Sequence, residues 1–117
     1  MRKVSAVFVV LLALVAEVSF LLTGDIERGA AEALFDAGIS ADILKVPHHG
    51  SRTTPLEFLG SVDSEVAVIS VGASNRFGHP VDDVLTALEN SAVYRTDLDG
   101  RVTISTDGTS ITVTTER

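Results

Sequence analysis

The sequence predicts an α/β fold, a mixed sheet with flanking helices, and three observations predict it. Apolar strands alternate with amphipathic segments of helical period, in the order β-β-α-β-α-β-α-β-β-β. Three of those strands run into chemistry-bearing residues: Asp25 after Val18–Leu22, His48 and His49 after residues 42–46, and His79 after residues 66–71. The tail then changes to a period of two, with Asp99-Gly100 and Asp107-Gly108 between its strands as turn signals. In an open α/β sheet, ligands bind beyond the carboxyl ends of the strands. If the three strands are parallel neighbours, their terminal residues gather at one edge.

Length and composition narrow the classes. A chain of 117 residues predicts one domain spanning 1–117. At 45% hydrophobic and 21% charged it is a globular composition, not a disordered one. The absence of cysteine excludes disulfides, thiolate metal sites and a cysteine nucleophile. The net charge of −7, with lysine only at Lys3 and Lys45, argues against tight unaided binding to nucleic acid. Such binding rests on cations that neutralise phosphates.

The elements follow in order. Met1–Leu22 has a basic start and an apolar run. A signal-like segment is one reading, but Leu14 occupies the first small position of a cleavage pattern. A membrane span needs about 20 apolar residues, and Glu17 interrupts this run. The reading adopted is a hairpin: Val7–Val10 are strand formers, Val18–Leu22 is the second strand, and the turn falls in 13–17. Localisation therefore stays open, cytoplasmic or exported and membrane-associated, depending on residues 1–16. Asp25 can cap a helix carrying Ile26, Ala30, Ala33, Leu34 and Ala37, with Gly38 as its stop. Residues 42–46 are a short buried strand ended by Pro47. Thr54-Pro55-Leu56-Glu57 reads as a capping box opening a helix that ends near Gly60. Residues 66–71 are a strand apolar on both faces. Val81–Leu88 is helical, and 93–96, 101–105 and 110–114 are the closing strands.

Each candidate site residue has a structural and a chemical reading. Asp25 is a cap or a metal ligand. His48 and His49 are adjacent, so on an extended backbone they point to opposite sides and one faces the site. Imidazole suits Zn, Cu, Fe and Ni, and a ligating histidine needs a partner on its other nitrogen. Ser51, Thr53 or Thr54 can supply one. Asn75 and Arg76 suit phosphate or carboxylate oxygens, and His79 precedes Pro80 at a helix start. Lys45 points to solvent or places one positive charge near an anionic substrate. The strand containing Tyr94, Arg95, Thr96 and Asp97 is structural.

Taken together, Leu-Leu-Thr-Gly-Asp-Ile-Glu (21–27), Leu-Lys-Val-Pro-His-His-Gly-Ser (44–51), Ala-Val-Ile-Ser-Val-Gly (67–72), Asn-Arg-Phe-Gly-His-Pro (75–80) and Val-Tyr-Arg-Thr-Asp (93–97) carry a resemblance. The set resembles, over roughly residues 5–108, the metallo-β-lactamase-fold domain of ComEC-type DNA-uptake (competence) proteins and their stand-alone relatives. The resemblance implies the C-terminal half of an αββα sandwich with a two-metal hydrolase site at one edge. It implies Zn or Mn as metals and DNA or another phosphodiester as substrate. It implies Asp25 as a bridging carboxylate and His48, ahead of His49, as a terminal ligand. It places His79, Asn75 and Arg76 on the substrate side, and Ser51 and Lys45 are read from their positions as further substrate-binding candidates. The His-x-Asp-x-Asp-His signature of that family is absent, and the three histidines all lie at or after position 48. The expectation is a metal-dependent hydrolase site that is incomplete in this chain alone. Its partner is a second copy or a chain that supplies the missing half. The alternative is a non-catalytic, self-associating module of the same fold.

Overall fold

The structure, a computed structural model, describes residues 11–26, 28–74 and 78–117. Its frame is a five-stranded sheet in the sequential order β1-β2-β3-β4-β5. The strands are β1 (Leu11–Val15), β2 (Val18–Leu22), β3 (Ile43–Lys45), β4 (Val66–Ile69) and β5 (Ala92–Arg95). β1 is antiparallel to β2, whereas β2, β3, β4 and β5 are mutually parallel, so the sheet is mixed. Helices α1 (Arg28–Asp36), α2 (Leu56–Val62) and α3 (Asp82–Ala87) make the parallel crossovers. A 3-10 turn, Pro47–Gly50, follows β3, and a one-turn helix α4, Thr96–Asp99, follows β5. β6 (Val102–Thr106) and β7 (Ile111–Thr115) pair as a separate antiparallel hairpin.

The pleat sorts side chains between two cores. Leu21, Leu44, Ala67 and Ile69 face the helices and meet Ile26, Ala31, Phe58, Leu59, Val62, Val84 and Leu88, all buried. Val18, Ile43 and Val66 face the other way and pack with Phe20, Val68, Tyr94, Ile104, Ile111 and Val113. The hairpin thus covers the face that the helices leave open. Its tip is fastened by the Glu17 amide, which donates to the Gly108 carbonyl at 2.9 Å.

Several expectations are corrected. The first hairpin uses Leu11–Val15, with a two-residue turn at Ala16-Glu17, and Val7–Val10 lie outside the described residues. The apolar stripe expected for α1 holds at Ile26 and Leu34, which reach the core, but Ala31 is the buried alanine, whereas Ala30, Ala33 and Ala37 are exposed. Alanine carries too little apolar area to specify a face by itself. α1 begins three residues after Asp25, which leaves Asp25 outside the capping position. The capping box at residues 54–57 does not form: Pro55 takes the cap position without a side-chain hydrogen bond, Thr54 Oγ1 is buried without a partner, and the helix runs on to Val62. The three tail strands divide between two sheets, because Asp99-Gly100 leaves one sheet for the other. Among the described residues no helix is long and apolar enough to cross a membrane.

Two contacts anchor the sheet's carboxyl edge. Gly50 adopts φ +79°, and a Cβ there would lie 2.6 Å from Pro80 Cβ. The Gly50 carbonyl accepts from the Val81 amide at 3.1 Å. Gly50→Ala therefore combines a left-handed penalty with a clash, and is expected to cost at least about 2 kcal/mol in urea unfolding. An unchanged midpoint would contradict this packing. At the end of β5, Arg95 grips Asp97 with two bonds of 3.0 and 2.6 Å, and Asp99 accepts from the Arg95 amide at 2.8 Å. The Arg95 guanidinium holds the Asp97 carboxyl below its ordinary value. A carboxylate depressed in the folded state adds stability that is present above its unfolded value and lost as pH falls through the folded one. Asp97→Asn is expected to lower the unfolding midpoint at pH 7, and the difference should shrink below about pH 4. A difference that stays constant with pH would refute the pairing.

Candidate functional site

The parallel strands deliver their carboxyl ends to one edge, and the backbone there is stitched strand to strand. After β2, the Thr23 hydroxyl donates to the Lys45 carbonyl. The Gly24 carbonyl accepts from the His48 amide at 3.0 Å, joining the Thr-Gly-Asp turn to the histidine pair. Val46 N donates to the Val68 carbonyl at 2.9 Å. After β4, His49 Nδ1 meets the Ser70 carbonyl at 2.6 Å. The Thr96 hydroxyl then donates to the Val71 carbonyl at 2.8 Å and accepts from the Val71 amide at 2.7 Å.

Both histidines leave the extended conformation assumed for them. His48 (φ 50°, ψ 43°) and His49 (φ 56°, ψ 22°) are left-handed, consecutive and non-glycine. Such a pair costs free energy that the surrounding contacts must offset, and strained residues of this kind cluster at functional sites. Their rings do not splay to opposite faces. They meet edge to face with centroids 6.2 Å apart, and His48 meets His79 in the same way at 6.4 Å.

The histidine brought against Asp25 is His49. Its Nε2 lies 3.9 Å from Asp25 Oδ1, and both side chains are about half exposed, at 49% and 58%. A carbonyl can only accept, so His49 Nδ1 carries the proton of the bond to Ser70. In the neutral ring, Nε2 is then a bare lone pair turned toward a carboxylate. His48, half-buried, keeps its Nδ1 buried with no hydrogen-bond partner. Burial, followed by electrostatic interaction with His48, His49 and Arg52, pushes the His79 pKa down. Arg52 is an exposed cation beside this group that sequence reasoning passed over; its position directly after His-His-Gly-Ser was the available signal.

The other expected residues divide. Ser51 is buried but turned into its own loop, where its Oγ accepts from the Thr53 amide at 3.2 Å. The partner of the imidazole is thus the backbone of Ser70, not Ser51, Thr53 or Thr54. Lys45 is half-buried on the hairpin face, and its Nζ donates to the Val46 carbonyl at 3.3 Å. Burial lowers its pKa, against the opposing pull of Asp25. Asn75 and Arg76 lie outside the described residues. Among the described residues no group of three or more His, Cys, Asp or Glu side chains is disposed to hold a metal ion.

No family model matches the chain. No solved structure matches it. It is 39% identical over 89 residues to ComE operon protein 3 of Bacillus subtilis (strain 168), a stretch that covers 72% of this chain and 12% of that protein. It is 38% identical over 90 residues to Recombination protein 2 of Haemophilus influenzae, covering 74% of this chain and 11% of the relative. To the uncharacterized protein YcaI of Escherichia coli it is 37% identical over 70 residues, or 56% of this chain and 9% of the relative. The chain thus spans 9% to 12% of the length of these curated relatives, and its similarity is to one short stretch of much longer proteins.

Proposed function

We propose that the chain carries part of a metal-dependent, phosphodiester-hydrolysing site related to DNA uptake, with Asp25 and His49 as ligands of one cation. The observation that carries this reading is the approach of His49 Nε2 to Asp25 Oδ1, 3.9 Å apart, with the far side of the ring held by Ser70. Two donors each about 2.1 Å from a shared ion stand roughly 3–4 Å apart. An imidazole and a carboxylate suit Zn or Mn. The hydrogen bond from Nδ1 to a backbone carbonyl is the support that ligating histidines use to fix ring and tautomer. The unpartnered Nδ1 of His48 adds a buried polar atom beside this pair. Similarity to proteins named for the ComE operon and for recombination supports a role in handling DNA.

The fit is to one cation and to part of its ligand shell. A two-metal site of the metallo-β-lactamase type needs several more ligands than Asp25 and the histidines provide. When bound, a cation of this class polarises a phosphoryl oxygen and makes a nearby water more acidic. The chain's own residues do the rest. Ser70 orients His49, and Asp25 supplies the negative charge that draws a cation to the edge. His79 and Arg52, with Asn75 and Arg76, offer donors to phosphoryl oxygens, and an arginine there can grip two oxygens at once. The lone chain binds metal weakly and hydrolyses little.

Titration of the purified chain with Zn or Mn is expected to show a site weakened at least about tenfold in Asp25→Ala and in His49→Ala. Equal affinity in the parent and both variants would remove the metal reading. Hydrolysis of bis(p-nitrophenyl) phosphate by the chain alone is expected to stay at background. Strong Mn- or Zn-dependent turnover, lost in Asp25→Ala, would show the site to be complete and contradict its partial character.

A further inference from the structure

The carbonyl that orients His49 is one half of a peptide group, and the other half is held from the opposite side. The Ser70 carbonyl accepts from His49 Nδ1 at 2.6 Å. The N–H of that same peptide bond belongs to Val71 and donates to Thr96 Oγ1 at 2.7 Å. A planar trans peptide points its carbonyl and its N–H in opposite directions. His49 follows β3 and Thr96 follows β5, so this peptide, just past the end of β4, is gripped from both neighbouring strands.

Thr96 gives the grip its direction. The hydroxyl has one proton, which goes to the Val71 carbonyl at 2.8 Å, and its oxygen then faces the Val71 amide as an acceptor. Val71 is buried, so without the hydroxyl both of its backbone groups would be left unsatisfied. The ladder between β4 and β5 ends at Ile69 and Arg95, and the Thr96 side chain takes over where it stops. Thr96 is itself fixed, because the Gly100 amide donates to its carbonyl at 3.1 Å and closes α4. Hydrogen bonds in a chain polarise one another, so a peptide whose N–H is engaged offers a stronger acceptor at its carbonyl.

We propose that Thr96 is a positioning residue for His49. Its hydroxyl sets the plane of the Ser70–Val71 peptide, and the carbonyl of that plane keeps the ring proton on Nδ1. Nε2 is thereby left bare toward Asp25 Oδ1, 3.9 Å away. The proposal rests on the reading of Asp25 and His49 as ligands of one cation, and it extends their support to a hydroxyl two hydrogen bonds away from the ring.

Nitrogen-15 NMR of the His49 ring in metal-free buffer tests this, at about pH 8, where an ordinary histidine is neutral. In the parent, and in Thr96→Ser, which keeps the hydroxyl, the proton is expected on Nδ1. In Thr96→Val, which replaces the hydroxyl with a methyl, the ring should divide between its two neutral tautomers. Zn affinity should fall with it by at least about threefold, short of the tenfold or more typical of a residue that touches the ligand itself. Thr96→Ala gives the same reading if the valine variant does not fold. Ser19→Ala removes a hydroxyl bound to Asp42 at the opposite edge of the sheet, and should leave the ring unchanged. A parent ring protonated on Nε2 would overturn the proposal. So would a folded Thr96→Val or Thr96→Ala chain with the parent's ring spectrum and Zn affinity, a serine variant that behaves like valine, or an equal response in Ser19→Ala. The metal-free spectrum decides the role of Thr96, and Zn titration of Asp25→Ala and His49→Ala decides the cation, so the two readings can fail separately.

Discussion

Everything at the candidate site depends on one constraint, the parallel alignment of β2, β3, β4 and β5. Parallel pairing sends four carboxyl ends to the same edge, and that edge is then tied together one strand at a time. Gly24 holds His48, Ser70 holds His49, and Thr96 holds Val71. Each tie uses a backbone group that has run out of ladder partners, so closing the edge and orienting the imidazoles are the same event. The strain of two consecutive left-handed histidines is sustained because both neighbouring strand ends hold the turn between them.

The two faces of the sheet are finished to different degrees. On the helix face, the aligned side chains of β2, β3 and β4 meet three helices, and the residues there are almost fully enclosed. On the other face, a single two-stranded hairpin has to cover the same width. A hairpin of that size is marginal alone, and it is held by its inward-facing residues and by the fastening at Gly108. Among the described residues it leaves an apolar cleft lined by Phe20, Leu22 and Lys45, next to strand ends that carry Asp25 and the histidines. Incomplete covering of the face and the partial ligand set proposed at the edge therefore fall on adjoining parts of the molecule.

How much of this was legible in the sequence follows from the kind of signal involved. The apolar runs at 18–22, 43–45 and 66–69 and the Asp107-Gly108 turn specify their elements locally, and those elements are where they were expected. The gathering of Asp25, His48, His49 and His79 followed from assuming parallel neighbours, which the registers bear out. The local conformation at His48-His49 was not legible. It is imposed by the Gly24 and Ser70 carbonyls, which are remote in sequence, and it overrides the alternation that an extended backbone would give. For the same reason the support of His49 was sought in Ser51, Thr53 and Thr54, when it is a main-chain atom of Ser70 that no side-chain pattern marks. The Thr54 capping box failed in a similar way, since matching residue types do not guarantee that the hydroxyl reaches its amide.

Nitrogen-15 NMR of the imidazole rings during addition of Zn tests the assignment of Asp25 and His49 most directly. His49 is expected to start with its proton on Nδ1, held by Ser70, and its Nε2 resonance should move on metal addition while Nδ1 keeps its proton. In Asp25→Ala that response should be lost at the same metal concentration. A metal response confined to His48 or His79, or a His49 ring protonated on Nε2 and indifferent to Zn, would contradict a cation shared between Asp25 and His49.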